Sequence, residues 1–264
     1  MDILIAVGIV GGIGLVSAGI LVLASHFMDV PSDEKADAAE ALLPGANCGA
    51  CGYAGCSDYA AAVAQGAAVD RCVPGGSETA RRLGELMGVD AGPITKMTAV
   101  VTCRGSYDAT KDKYIYRGIQ SCAAANLLYA GESDGAYGCL GLGDCAAACK
   151  FDAMFVENGV AHADPARCTG CGVCAAACPK GLVRIVPAEN KPVVRCANLD
   201  RGVFTRGACT NGCLGCGKCA RACPAGAIAI IDNRAVIEQA VCTGCGSCVA
   251  VCPVGASLLI GAEV

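Results

Sequence analysis

Three stretches of this chain repeat one spacing of cysteines: CTGCGVCAAACP at 168–179, CLGCGKCARACP at 213–224 and CTGCGSCVAVCP at 242–253. Closely spaced thiols followed by Cys-Pro place one sulfur after another around a compact multi-atom centre, and this is the ligand run of 4Fe-4S clusters. Where two such runs occur together, the fourth Cys of each serves the other run's cluster, so the runs have to fold in pairs. The composition agrees. The 264 residues include 23 Cys and 36 Gly but no Trp and only 4% aromatics, so ligand bonds must replace much of a core of large side chains.

A fourth run is degenerate. Residues 138–151, GCLGLGDCAAACKF, repeat the pattern of 212–225, GCLGCGKCARACPA, but Leu142 stands in the place of Cys216 and Lys150 in that of Pro224. The four runs pair into two modules, 139–149 with 168–178 and 213–223 with 242–252. Between the runs lie the β-prone segments AMFVENGVAH and AIAIIDNRAV, with Glu157-Asn158-Gly159 and Asp232-Asn233 as turns. Each module is expected to be a small pseudo-symmetric ferredoxin-like unit around two clusters, which makes the fold class α+β.

Leu142 removes a ligand from the cluster expected at Cys139, Cys145 and Cys178. Gly135 stands four residues before Cys139, where module two has Cys209 four before Cys213, and a Cys at Gly135 would have been a substitute donor. Cys122 is the nearest upstream thiol, 17 residues before Cys139, and Cys196 lies the same 17 before Cys213. Two partitions stay open. In one, Cys122 completes the site and the chain carries five 4Fe-4S clusters, leaving Cys103, Cys196 and Cys209 as spare buried residues. In the other, the degenerate site is a three-iron cluster or takes a non-Cys ligand, and Cys103, Cys122, Cys196 and Cys209 converge on a sixth cluster.

Upstream, LPGANCGACGYAGCSDYAAAVAQG leads to a further set, Cys48, Cys51, Cys56 and Cys72, spaced C-x2-C-x4-C-x15-C. Ser57 is expected to cap a helix that ends at Gly66 and packs Tyr59, Ala60 and Val63 back on the ligand loop. Four thiolates satisfy tetrahedral zinc as well, and zinc competes more at this set than at the intact runs, whose spacing departs from the two separated Cys pairs of zinc sites. The ligands expected in all are Cys48, Cys51, Cys56, Cys72, Cys122, Cys139, Cys145, Cys149, Cys168, Cys171, Cys174, Cys178, Cys213, Cys216, Cys219, Cys223, Cys242, Cys245, Cys248 and Cys252.

At the N-terminus, Ile3 to Met28 holds no formally charged residue. A helix of that length crosses a hydrocarbon layer of about 30 Å, so one transmembrane helix is expected. Gly8 with Gly12, and Gly14 with Ala18, would let a neighbouring helix approach. Thiols intended for metal require a reducing compartment, which places the bulk of the chain on the cytoplasmic side of the inner membrane. The expected organisation is a membrane helix at 1–28, a polar helical or flexible linker at 29–43, the four-Cys domain at 44–88, and modules at 97–190 and 191–264.

A net charge of -4 with no basic stripe argues against a nucleic-acid partner. No nucleotide-binding glycine motif or nucleophile arrangement is present, and the two histidines, His26 and His162, are expected to be structural. No catalytic residue is expected. What remains is one-electron transfer along a row of clusters, with Arg81, Arg82, Lys111, Lys113 and Arg117 as candidates for a local basic docking patch.

The apolar N-terminal helix, LPGANCGACGYAGC with a distant fourth Cys, GCLGLGDC and the repeated runs together resemble the long form of the B subunit of Rnf complexes, over essentially the whole chain. That resemblance implies an electron relay between reduced ferredoxin and a membrane complex that reduces NAD while translocating sodium ions or protons. It implies soluble ferredoxin and the other Rnf subunits as partners, the latter holding the flavin and NAD sites. Relatives often carry a Cys at the position of Gly135. The iron-sulfur subunit of another membrane-bound oxidoreductase, or a structural scaffold of clusters, is the alternative.

Overall fold

The computed structural model describes residues 2–27, 33–92, 94–189 and 191–260, with side chains in the first helix described for Gly8 and for 11–24. That helix, α1, runs Asp2–Phe27. Ile13, Leu15, Val16, Ile20, Leu21, Val22 and Leu23 are all exposed on it, so it presents apolar side chains on every face. Nothing lies within 4 Å of a Cβ placed at Gly8, Gly12 or Gly14. Counted over the described residues, no helix is long and apolar enough to cross a membrane. The expected end of the span at Met28 and the start of the linker lie outside the described residues, as does the side chain of His26.

From Glu34 the segment expected as a linker is folded. Helix α2 (Glu34–Leu42) begins where the Asp33 carboxylate accepts a hydrogen bond from Lys35 N–H. It packs on α3 (Cys56–Ala64), burying Ala39 and Leu43 against Tyr59, Ala60 and Val63. Helix α4 (Gly76–Met87) adds Leu83 to the same core and ends at Gly88 in the left-handed conformation. Tyr59, Val63 and Leu83 are fully buried, and burial of each contributes about 1.5–3 kcal/mol. Ser57 makes no cap. The N-cap of α3 is Gly55, and the free N–H of Cys56 donates instead to Asn47 Oδ1 at 2.7 Å, from across the ligand loop.

The remainder is one design written twice. Module one opens with strand β1 (Met97–Val101) and continues through an insertion carrying α5 (Cys122–Asn126) to the degenerate run on α6 (Asp144–Ala147). The hairpin β2 (Met154–Glu157) and β3 (Val160–Ala163) follows, then the second run on α7 (Val173–Ala177) and β4 (Val183–Pro187). Strand β4 returns antiparallel to β1, with Val101 opposite Val183. Module two repeats the order: β5 (Pro192–Val194), α8 (Gly202–Ala208), α9 (Lys218–Ala222), β6 (Ile228–Ile231), β7 (Arg234–Ile237), α10 (Ser247–Ala250) and β8 (Ser257–Leu259). Here β8 closes on β5. Both hairpins turn on two residues of positive φ, Asn158-Gly159 and Asp232-Asn233, the geometry that matches strand twist.

The cores of these modules are mostly thiols and small side chains. In module two the main buried cluster is Cys196, Cys213, Cys219, Ile228, Ala235, Cys248 and Ala256. So few apolar atoms cannot hold seven short elements alone, and cluster binding is folding free energy here. Anaerobic chelation of the iron is therefore expected to abolish the β-sheet circular dichroism of 97–260 rather than leave a folded apo-protein. A cooperative, fully β-structured apo-form would show this account of the core to be wrong.

Candidate metal centres

Four short helices each carry, as their second residue, the cysteine at the third ligand position of a run, and Cys145, Cys174, Cys219 and Cys248 are all buried. Around Cys145, Cys174 and Cys219 lie other cysteines of their own run together with the last Cys of the partner run. Burial pushes the Cys174 thiol up to about 11, and the charges of Cys168, Cys171 and Cys149 add to it. Burial likewise raises Cys219, and Cys213, Cys252 and Cys216 follow as neighbours. Cys248 is pushed up to about 11 by burial and then by Cys242, Cys219 and Cys245; Cys223 stands in the place of Cys149 in the repeat. In the N-terminal domain burial raises Cys72, whose charged neighbours are Cys56, Cys48 and Cys51. Thiols so crowded and desolvated stay protonated on their own; iron supplies the positive charge that makes the thiolates compatible.

Backbone N–H groups point at the sulfurs. The fourth Cys of a run accepts from the residue four positions on: Ala153 to Cys149 at 3.4 Å, Leu182 to Cys178 at 3.4 Å and Ala256 to Cys252 at 3.2 Å. Cys168 accepts from Ala99 at 3.2 Å and Gly170 at 3.4 Å. Such bonds stabilise the charged thiolate and set cluster potential. Among the described residues, no three Cys, His, Asp or Glu side chains close on a point where a single metal ion would sit. Two of the sets instead line cavities: Cys213, Cys216, Cys219 and Cys252 around one, and Cys122, Cys139, Cys145 and Cys178 around the other. Sulfurs spread around a cavity fit a cluster several atoms across.

The degenerate site thus has four cysteines around it. Cys122 is brought in at the start of α5, and burial pushes Cys145 up to about 12, with Cys139, Cys122 and Cys178 as charged neighbours. Asp144, where the sister run has Lys218, fastens it there. Its carboxylate accepts from Cys122 N–H at 2.9 Å, Ala123 N–H at 3.0 Å and Ser121 Oγ–H at 2.9 Å, capping α5 from a neighbouring element. Burial opposes the charge on Asp144, but the Ala123 and Cys122 amides and the Ser121 hydroxyl outweigh it and hold the carboxyl below its usual range. The anchor is therefore complete above about pH 4 and fails only as pH falls through that lowered value. Asp144→Ala is expected to cost about 1–2 kcal/mol and to loosen this one cluster, seen as faster iron loss to a chelator.

Two correspondences within the repeat follow from the hydrogen bonds. Cys122 is not the counterpart of Cys196. Cys103 is, since each follows its module's first strand by two residues and each Sγ accepts the N–H of the first cysteine of its run, Cys139 at 3.3 Å and Cys213 at 3.2 Å. Gly135 is the counterpart of Cys209, each carbonyl accepting from the glycine three residues on, Gly138 and Gly212, but it does not face the Cys139 site. It lines a different cavity, shared with Cys103, Cys196 and Cys209.

Other singled-out residues have structural roles. His162 lies on β3 stacked on Phe155, ring centroids 5.6 Å apart, and burial lowers its pKa. Arg81 is committed to its own helix through Glu78 and Glu85, and Lys113 Nζ donates to Tyr129 O at 2.8 Å.

A family model described as "Putative Fe-S cluster" matches residues 43–74, and one described as "4Fe-4S dicluster domain" matches 167–227 and 212–256. The run with Leu142 falls outside both. Among curated proteins, the B subunit of the proton-translocating ferredoxin:NAD(+) oxidoreductase complex of Clostridium ljungdahlii is 40% identical over 232 residues, 87% of this chain and 82% of that protein. The B subunit of the ion-translocating oxidoreductase complex of Methanosarcina acetivorans is 40% identical over 209 residues, 78% of this chain and 79% of that protein. The chain belongs to the family of Rnf B subunits. Its counterpart in the Na(+)-translocating ferredoxin:NAD(+) oxidoreductase complex of Acetobacterium woodii is also 40% identical, over 210 residues, and the match spans 63% of that protein's length. Membership brings 4Fe-4S clusters and electron transfer with it, and the cysteine sets described above are where this member can hold them.

Proposed function

We propose that this chain is the membrane-anchored electron relay of an Rnf-type ferredoxin:NAD oxidoreductase, taking electrons from reduced ferredoxin and passing them to membrane partners. The observation that carries it is the series of five four-cysteine sets in one chain, Cys48 to Cys72 behind α1 and two pairs in the modules, held by a family whose members are iron-sulfur subunits. Each cluster supplies a one-electron carrier. The chain's own part is to fix the carriers by thiolates, tune them by N–H bonds to sulfur and keep water from the buried ligands. Cys216 and Cys245 are exposed, which supports contact of the module-two clusters with a soluble carrier. The apolar faces of α1 support anchoring to the inner membrane with the clusters on the cytoplasmic side. Relatives named for sodium ions and for protons are equally similar, so likeness of this subunit does not sort the ion.

Two measurements test this. Anaerobic mixing with reduced ferredoxin is expected to bleach the cluster absorbance of the purified chain within the range of ferredoxin potentials; clusters that stay oxidised would refute the relay. Removal of residues 2–27 is expected to move the chain from membranes to the soluble fraction with its iron intact, and a truncated chain that still sediments with membranes would refute the anchor.

A further inference from the structure

The three cysteines left outside the five sets are not scattered. Cys103, Cys196 and Cys209, distant in sequence, line one cavity between the two modules. A Cβ placed on Gly105 would lie 3.5 Å from Cys103 Sγ and 3.7 Å from Cys209 Sγ, so those two sulfurs crowd the same point. The cavity measures about 40 Å³, against about 20 Å³ for each of the two cavities lined by four-cysteine sets. Space is therefore not what separates it from a cluster site.

The sulfurs are also dressed as cluster ligands are. Cys103 Sγ accepts the N–H groups of Gly105 and Cys139, both at 3.3 Å. Cys196 Sγ accepts from Cys213 at 3.2 Å, and Asn198 N–H is a second donor. The backbone N–H of Asn211 lies toward the Cys209 thiol. Backbone donors on sulfur are what the assigned ligands Cys149, Cys168, Cys178 and Cys252 also show. Around them the modules are clamped together. Arg195, only 3% exposed, donates Nε–H to Val101 O at 2.7 Å, and Arg104 donates to Gly255 O at 2.6 Å.

The internal repeat says where the fourth ligand belongs. Cys103 and Cys196 are counterparts, and the counterpart of Cys209 is Gly135, which lines the same cavity and carries no donor. Beside it is Ser133, whose Oγ is buried and has no hydrogen-bond partner among the described residues.

We propose that Cys103, Cys196 and Cys209 hold a sixth cluster, a 4Fe-4S centre whose fourth iron lacks a thiolate and faces Ser133 Oγ across the position of Gly135. The site departs from both partitions of the cysteines considered from sequence, because Cys122 is used elsewhere and the site is built from three thiols. Its sulfurs touch the peptide of the first ligand of module one and of module two, so it stands between the two pairs as the link from one to the other. It is a property of the protein alone and stands or falls apart from ferredoxin docking.

A fourth iron without thiolate is the one lost on mild oxidation. With one equivalent of ferricyanide, [4Fe-4S]2+ gives [3Fe-4S]1+, Fe2+ and ferrocyanide, the electron going to the oxidant. The full chain, purified anaerobically in detergent, is expected to contain about 24 irons, to lose about four in Cys209→Ala, and to show one three-iron EPR signal per chain after ferricyanide. Gly135→Cys, whose new Cβ meets nothing within 4 Å, is expected to keep its iron and to lose that oxidised signal. A wild-type content of about 20 irons, unchanged in Cys209→Ala, would overturn the proposal. So would a three-iron signal that persists at full strength in Gly135→Cys, a variant that stays informative if Cys209→Ala fails to fold.

Discussion

Cys122→Ser is expected to cost the chain about four irons and one 4Fe-4S signal, leaving the remaining clusters spectroscopically unchanged. In the sister run Cys216 occupies one corner of its cavity; in the degenerate run Leu142 takes that place in the sequence and does not line the cavity at all, whereas Cys122 does. A serine hydroxyl is a harder and far less acidic donor than a thiol, so iron at that corner is lost first and the cluster follows. Because the loss is local, it has a specific remedy. Leu142→Cys rebuilds the regular run, and in the double variant with Cys122→Ser the iron is expected to return to the wild-type content. Leu142→Cys alone is expected to add no iron, since the corner is already held. Iron and acid-labile sulfide on anaerobically prepared protein decide the matter, and a Cys122→Ser chain that retains all its iron would remove Cys122 from the ligand set.

How far such sites can be read from sequence depends on how local they are. The intact runs are legible because all three leading ligands and the turn between them lie within a few residues, where spacing translates directly into geometry. The buried face of α3, Tyr59, Ala60 and Val63, and the two hairpin turns are legible for the same reason. The equivalence of Cys103 and Cys196 is not. Cys103 lies 36 residues before the cysteine whose N–H it accepts and Cys196 lies 17 before its own, because module one carries an insertion that module two lacks. A matching interval of 17 therefore pointed to Cys122, which is fastened by Asp144 to a different cavity. Strand pairing, β1 with β4 and β5 with β8, restores the true register of the repeat. Neither the packing of α2 nor the cap on Cys56 from Asn47 leaves a periodic trace, as each rests on a contact made only after the chain folds back.

Gly215→Ala is expected to be the most damaging single methyl group that can be added to module two. Gly215 lies between the first and second ligands of its run at φ +62°, and a Cβ there would stand 2.5 Å from Asn233 O and 2.9 Å from Asn233 C. The ligand loop rests directly on the turn of the β6–β7 hairpin, and Gly141 rests on Gly159 in the same way in module one. Left-handed backbone alone costs an alanine about 1–2 kcal/mol. The contact with backbone adds to this, since neither the hairpin turn nor the loop can yield without moving Cys213 and Cys216. Loss of about four irons is expected, with a lowered melting temperature for what remains. Gly226→Ala separates the two causes: its φ is +62° as well, but nothing lies within 4 Å of the added Cβ. That variant is expected to keep all its iron and lose only about 1 kcal/mol. Equal iron loss in both would mean that backbone conformation, and not the seating of the ligand loop on the hairpin, is what the cluster requires of these glycines.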